Sequence, residues 1–114
     1  SGASAGKGLG HKFLRHVSRT KMILHLVSLE NEDVEKAYYD IRKELDSFGS
    51  ELTEKEEWII LTKKDLVEQS YIDDAVTTLE KTKNRVFVLS ENDPESVKTL
   101  QDTLVSHLRA DSDI

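Results

Sequence analysis

Apolar positions along the chain alternate between a helical and a strand-like spacing. From His11, the residues Phe13, Leu14 and Val17 recur at helical intervals, which predicts a short amphipathic helix ending near Thr20. Met22 to Leu29 is an almost unbroken apolar run of strand length, interrupted only by His25, as in a parallel strand with both faces covered. Val34, Ala37, Tyr38, Ile41, Leu45 and Phe48 form the longest helical stripe, closed by Gly49 as a C-terminal cap. A polar connector through Glu57 leads to a second short buried strand, Trp58 to Thr62. Ser70 and Asp73 have capping-box spacing ahead of Ile72, Ala75, Val76 and Leu79, which predicts the next helix. Arg85 to Ser90 is the third predicted strand. Asp93 as N-cap and Pro94 at the first helical position open a last helix, with Val97, Leu100, Leu104 and Leu108 inward and residues 110–114 frayed.

A helix followed by three strand-helix units calls for an α/β fold with a parallel sheet and crossover helices. Ligands of such sheets bind beyond the carboxyl ends of the strands. That rule selects Ser28, the Thr62-Lys63-Lys64-Asp65 turn and the Ser90-Glu91-Asn92 turn. The 114 residues allow one domain. Three strands make a thin sheet, and the first residue is Ser, so the chain is expected to be part of something larger.

Composition narrows the classes. There is no cysteine, which excludes disulfides and thiolate chemistry, and no apolar run of membrane-spanning length, so no membrane partner is expected and the cytoplasm is the expected location. The net charge of -6 hides an asymmetry: residues 1–29 carry Lys7, Lys12, Arg15, Arg19 and Lys21 and no acid. Such a segment attracts polyanions, or is a solvated helix whose counter-charges lie on the acidic body. His11 and His16 do not share a helical face and His25 sits in a strand with no acidic neighbours, so zinc is rejected and His16 and His25 are read as packing or hydrogen-bonding residues. Tyr38, Tyr39 and Trp58 are read as packing residues rather than base-stacking ones. Ser1 to Gly8 approximates a phosphate-binding loop, but lacks the first glycine, the closing hydroxyl residue and a preceding strand.

The segment Gly2-Ala-Ser-Ala-Gly-Lys-Gly-Leu-Gly-His-Lys-Phe-Leu-Arg-His-Val-Ser-Arg-Thr20 resembles the one that follows the Asp-x-Pro-Gly motif in the Obg family of GTPases, most specifically through Gly8-Leu9-Gly10 and Phe13-Leu14-Arg15-His16. The resemblance extends over residues 2 to 109. It implies the C-terminal half of a G domain, a P-loop NTPase-like (Rossmann-like) partial sheet of three parallel strands flanked by helices. Residues 1–21 would be the second switch loop and helix, with Gly6, Gly8, Gly10 and Arg15 in the switch region. Residues 22–109 would be three strand-helix units.

Thr62-Lys63-Lys64-Asp65 falls where the family has its guanine-reading Asn-Lys-x-Asp, and Ser90-Glu91-Asn92 where it has Ser-Ala-x. The implied base-binding residues are Thr62, Lys63, Asp65, Ser90 and Glu91. A carboxylate at Asp65 accepts from guanine N1-H and the exocyclic amine, Lys63 lays its aliphatic stem on the purine, and the Glu91 backbone N-H reaches O6. Thr62 departs from the family pattern, offering one hydroxyl in place of an amide. The parent is then expected to bind GTP or GDP with magnesium and to act in assembly of the large ribosomal subunit. This stretch would hold the base without hydrolysing the nucleotide, with no catalytic residue and no bound cofactor of its own. Two other readings stay open: an rRNA-binding module formed by Lys7, Lys12, Arg15, Arg19 and Lys21, and a degenerate scaffold without nucleotide binding. Finally, the first strand of the resembling domain would pair beside Met22–Leu29, so that strand is expected to have an open edge that promotes self-association, or else residues 1–12 are expected to be partly disordered.

Overall fold

A computed structural model describes residues 8–112; Gly6 and Lys7 of the switch and RNA readings, and the Ser1–Lys7 part of the glycine-rich stretch, lie outside the described residues. The chain runs α1 (His11–Ser18), β1 (Met22–Ser28), α2 (Val34–Phe48), α3 (Ser50–Thr53), β2 (Glu56–Thr62), a 3-10 turn (Lys64–Leu66), α4 (Gln69–Glu80), β3 (Arg85–Val88) and α5 (Pro94–Ser112). The strands form one parallel sheet in the order β1-β2-β3. Three parallel strands flanked by helices make the α/β fold that the apolar pattern predicts.

Register places side chains on two faces, because successive residues of a strand point to opposite sides. Val27 pairs with Leu61 and Leu61 with Val88, while His25 pairs with Ile59 and Ile59 with Val86. On this face Val34 and Tyr38 of α2 and Ile72, Ala75 and Leu79 of α4 close the main core over Val27, Ile59 and Leu61. Ile60 and Trp58 point the other way, where Trp58 meets Phe87 and His107 of α5 at ring separations of 5.1 and 5.0 Å. A smaller core joins Leu14 of α1 to Ile23, Leu45 and Leu52.

The second face of β1 departs from expectation. Leu24 and Leu26 are 37% and 63% exposed, and Phe13 of α1 is exposed beside them. Among the described residues, α5 covers β2 and β3 on this side but does not extend over β1, whose outer edge is also unpaired. The strand's continuous apolar composition suits two covers, and one is present.

Local differences have local causes. Gly49 ends α2 with a positive φ of 136°, but the chain starts the four-residue α3 instead of a connector, burying Leu52. β2 begins earlier than predicted and takes Glu57 into the sheet. Helix α4 starts at Gln69, with Glu68 in the extended cap position and no side-chain cap; Ser70 lies inside the helix and Asp73 accepts from Gln69 at 2.9 Å. The inward residues of α5 are half-buried, and the helix continues through Ser112 where fraying was expected.

Candidate functional site

The carboxyl ends of the three strands converge as the sheet rule requires. The Leu29 N-H donates to the Thr62 carbonyl at 3.0 Å, and the Leu89 N-H to the Leu61 carbonyl at 2.9 Å, so the turns after β1, β2 and β3 leave the sheet side by side. Beyond Thr62, Lys63 adopts the left-handed conformation at φ 65°, ψ 38°, which is uncommon for a residue with a Cβ. Its neighbours hold it there: Thr62 through Leu29, and Lys64 through its N-H to the Leu89 carbonyl at 3.3 Å. The bend turns the Lys63 side chain to the surface, with its ammonium 3.8 Å from Glu30.

Asp65 follows on the 3-10 turn, and its carboxylate is exposed but held. The Ser90 hydroxyl donates to Oδ1 at 2.7 Å and the Asn92 amide donates to Oδ2 at 2.7 Å. These bonds, Ser90 first and Asn92 second, favour the charged form and hold the Asp65 carboxyl below its ordinary value. Ser90 itself is buried; its Oγ accepts from the Asn92 N-H at 3.0 Å, and its own N-H donates to the Ser96 Oγ at 3.2 Å. A second link ties the same turns, the Lys64 ammonium lying 2.6 Å from Asp93 Oδ2. This pairing leads the causes that lower the Asp93 carboxyl, and the N-H groups of Ser96 and Glu95 add to it, in keeping with its predicted N-cap position.

Lys63, Asp65, Ser90 and Glu91 are therefore brought together in two adjoining turns, with Lys63, Asp65 and Glu91 exposed. Thr62 is half-buried and meets the group through its backbone; among the described residues its hydroxyl makes no hydrogen bond. Gly8, Gly10 and Arg15 lie apart from these turns, around α1. Gly10 occupies the position before α1 with a positive φ of 84°, and the Leu9 N-H donates to Glu44 of α2 at 2.7 Å. Lys12, Arg15, Arg19 and Lys21 are exposed, and no ion pair among the described residues involves them. Among the described residues no helix is long and apolar enough to cross a membrane, and no three His, Asp or Glu side chains are grouped to hold a metal ion.

Two features escaped the sequence reading. One is Asn92, which sits in a turn the reading selected but whose amide reaches back to Asp65. The other is a buried polar cluster at the opposite end of β2, where His25 does have an acidic partner. Glu57 Oε2 lies 2.9 Å from His25 Nδ1, and Glu57 Oε1 accepts from the Tyr38 hydroxyl at 2.6 Å, the Asn84 amide at 3.0 Å and Arg42 at 3.3 Å. Burial pushes the Glu57 carboxyl up, but the hydrogen bonds from His25 and Tyr38 and the nearby positive charge outweigh it and leave it below its ordinary value. Burial, followed by the bond to Glu57, raises the Tyr38 phenol.

No protein-family model matches the chain. It is 36% identical over 108 residues to a protein named GTPase Obg from Pelagibacter ubique (strain HTCC1062), covering 94% of this chain and 33% of that protein. It is 40% identical over 101 residues to GTPase Obg of Prochlorococcus marinus (strain MIT 9515), covering 88% and 31%, and 37% identical over 115 residues to GTPase Obg of Ehrlichia ruminantium (strain Gardel), covering 100% and 33%. The chain thus spans about a third of the length of the curated relatives it matches.

Proposed function

The chain belongs to the Obg family across the stretch it shares with these relatives, and from that premise we propose that its two adjoining turns are the base-binding part of a guanine-nucleotide site. The observation that carries the reading is the Asp65 carboxylate, exposed and oriented by Ser90 and Asn92. A carboxylate has about four acceptor directions, so two remain for the paired N1-H and amine donors of guanine. Adenine presents an acceptor at N1 and would leave the carboxylate facing it unpaired, which is the kind of mismatch that makes discrimination steep. The exposed Lys63 stem can lie along the base, and Glu91 can offer its backbone N-H. Thr62 adds support through its backbone alone.

In this reading residues 1–21 are the switch loop and helix, with Gly6, Gly8, Gly10 and Arg15 in it, and residues 22–109 are the three strand-helix units of a partial G domain. The parent is a cytoplasmic GTPase active in assembly of the large ribosomal subunit. This stretch would hold the base, and the phosphates and magnesium would be held by other parts of the parent; among the described residues no three His, Asp or Glu side chains are grouped to hold a metal ion. The edge of β1, with Leu24 and Leu26 beside it, is proposed to support self-association.

Titration of the 114-residue chain with GDP and with ADP, followed through amide chemical shifts, tests the base-binding reading. GDP is expected to move Lys63–Leu66 and Leu89–Asp93 at lower concentration than ADP. Equal responses to the two nucleotides would refute it, and no response to either would favour the scaffold without nucleotide binding. A second reading, contact with ribosomal RNA through Lys7, Lys12, Arg15, Arg19 and Lys21, is favoured by the exposed, unpaired state of the last four. Binding to an rRNA fragment should weaken steeply with salt, and a flat salt response would count against it.

A further inference from the structure

Asp65 is held by two donors, and they do different things. Ser90 is buried, and its hydroxyl fixes Oδ1 to the end of β3. With that bond alone the carboxylate could still turn about its Cβ-Cγ axis, because the terminal torsion of an aspartate is broad and roughly two-fold. Asn92 removes this freedom. Its amide donates to Oδ2 at 2.7 Å while its backbone N-H donates to Ser90 Oγ at 3.0 Å, so Asp65, Ser90 and Asn92 close a ring of hydrogen bonds in which both carboxylate oxygens are fixed. A second link between the two turns is the Lys64 ammonium, 2.6 Å from Asp93 Oδ2. Position 62, at the start of the first turn, offers a hydroxyl that bonds nothing among the described residues. The amide that orients the acidic residue comes from the second turn.

We propose that Asn92 is a positioning residue for base recognition: its amide sets the plane of the Asp65 carboxylate so that the remaining acceptor directions meet two adjacent N-H donors of a purine together. The proposal rests on the guanine reading of Asp65 given above. A bidentate contact needs both oxygens in one plane with the ligand's donors, whereas a freely turning carboxylate meets them one at a time. Asn92 is exposed and packs into no core, so its replacement leaves the fold intact.

The test compares the chain with Asn92→Ala by two measurements, after amide spectra confirm that the variant is folded. The first, without ligand, is the titration of the Asp65 carboxyl by carbon-detected NMR; the value in the variant is expected to rise toward that of an ordinary aspartate. The second is titration with GDP and ADP. GDP is expected to weaken by roughly threefold to tenfold, the usual net worth of one hydrogen bond, with ADP unchanged. An unaltered Asp65 titration would overturn the positioning role whatever the nucleotides do. A shifted titration with undiminished preference for GDP would show that the bond exists but does not serve recognition, and would overturn it too. If the unsubstituted chain fails to prefer GDP, the guanine reading falls and this proposal with it, while the first measurement still reports separately whether Asn92 holds the carboxylate.

Discussion

Replacement of Glu57 by Ala removes an acceptor shared by four side chains. In the native chain Tyr38, Asn84 and Arg42 converge on Oε1 and His25 on Oε2, and the Glu57 side chain is 2% exposed. Breaking a buried, hydrogen-bonded ion pair from one side typically costs about 3–5 kcal/mol, because the partners stay buried without compensation. Arg42 moderates this figure, since its other nitrogen keeps the Thr53 carbonyl at 2.8 Å and Asp46 at 3.0 Å. We therefore expect a loss near the lower end, about 3 kcal/mol, against a total stability on the order of 5–15 kcal/mol. Glu57→Gln keeps one oxygen of similar shape and should cost about 1–2 kcal/mol. Urea unfolding followed by Trp58 fluorescence measures both, and the Gln variant remains readable if the Ala variant is too unstable to fold. A loss under about 1 kcal/mol for Glu57→Ala, or equal losses for the two, would show that water already satisfies these donors and that the cluster is not a closed network.

The same carboxylate predicts an acid dependence. Its folded value lies below the ordinary 4.5, so the unfolded chain takes up the proton first; the stabilisation is complete above about 4.5 and is lost as pH falls through the lower folded value. Urea midpoints measured from pH 6 downward should fall across that window in the native chain and fall less in Glu57→Gln. On the opposite face, Leu26→Lys should leave stability within about 0.5 kcal/mol, because the residue is 63% exposed, while reducing any association seen by sedimentation. A native chain that stays monomeric at high concentration would refute the proposed edge pairing.

Periodicity revealed the elements because each depends on residues close in sequence. The stripe from Val34 to Phe48 and the apolar run of β2 are of this kind, and the nearness of Asp65 to Ser90 was legible because each lies in a turn after a strand and the fold rule places those turns side by side. His25 and Glu57 show the limit: 32 residues apart, they meet through the register of β1 on β2, in which Glu57 pairs opposite Ile23 and so stands on the same face as His25. No spacing in the chain encodes that register. Leu24 and Leu26 illustrate a different gap. An apolar strand records that it packs on both faces but not where the second cover comes from. At position 70, capping-box spacing matched while the backbone entered the helix two residues earlier, because Glu68 takes the extended conformation that a cap position requires.

The two polar clusters sit at opposite ends of one strand, and this arrangement separates stability from recognition. Glu57 stands at the start of β2 and Asp65 just past its end, with Trp58, Ile59, Ile60 and Leu61 all buried between them. At about 3.3 Å per residue the strand keeps the clusters on the order of 20 Å apart, beyond the range at which substitutions usually couple. The amino-end cluster is buried, so its hydrogen bonds contribute to holding α2 and β1 on β2. In the carboxyl-end cluster Asp65 and Asn92 are exposed above a buried Ser90, and the same kinds of bond there fix the direction of one carboxylate. Substitutions at Glu57 should therefore move the unfolding midpoint and leave the ratio of GDP to ADP affinity alone, and substitutions at Asn92 should do the reverse. A Glu57→Gln variant that kept its fold but lost base preference would mean that β2 transmits a change along its length, and that the turns are not oriented by their own contacts.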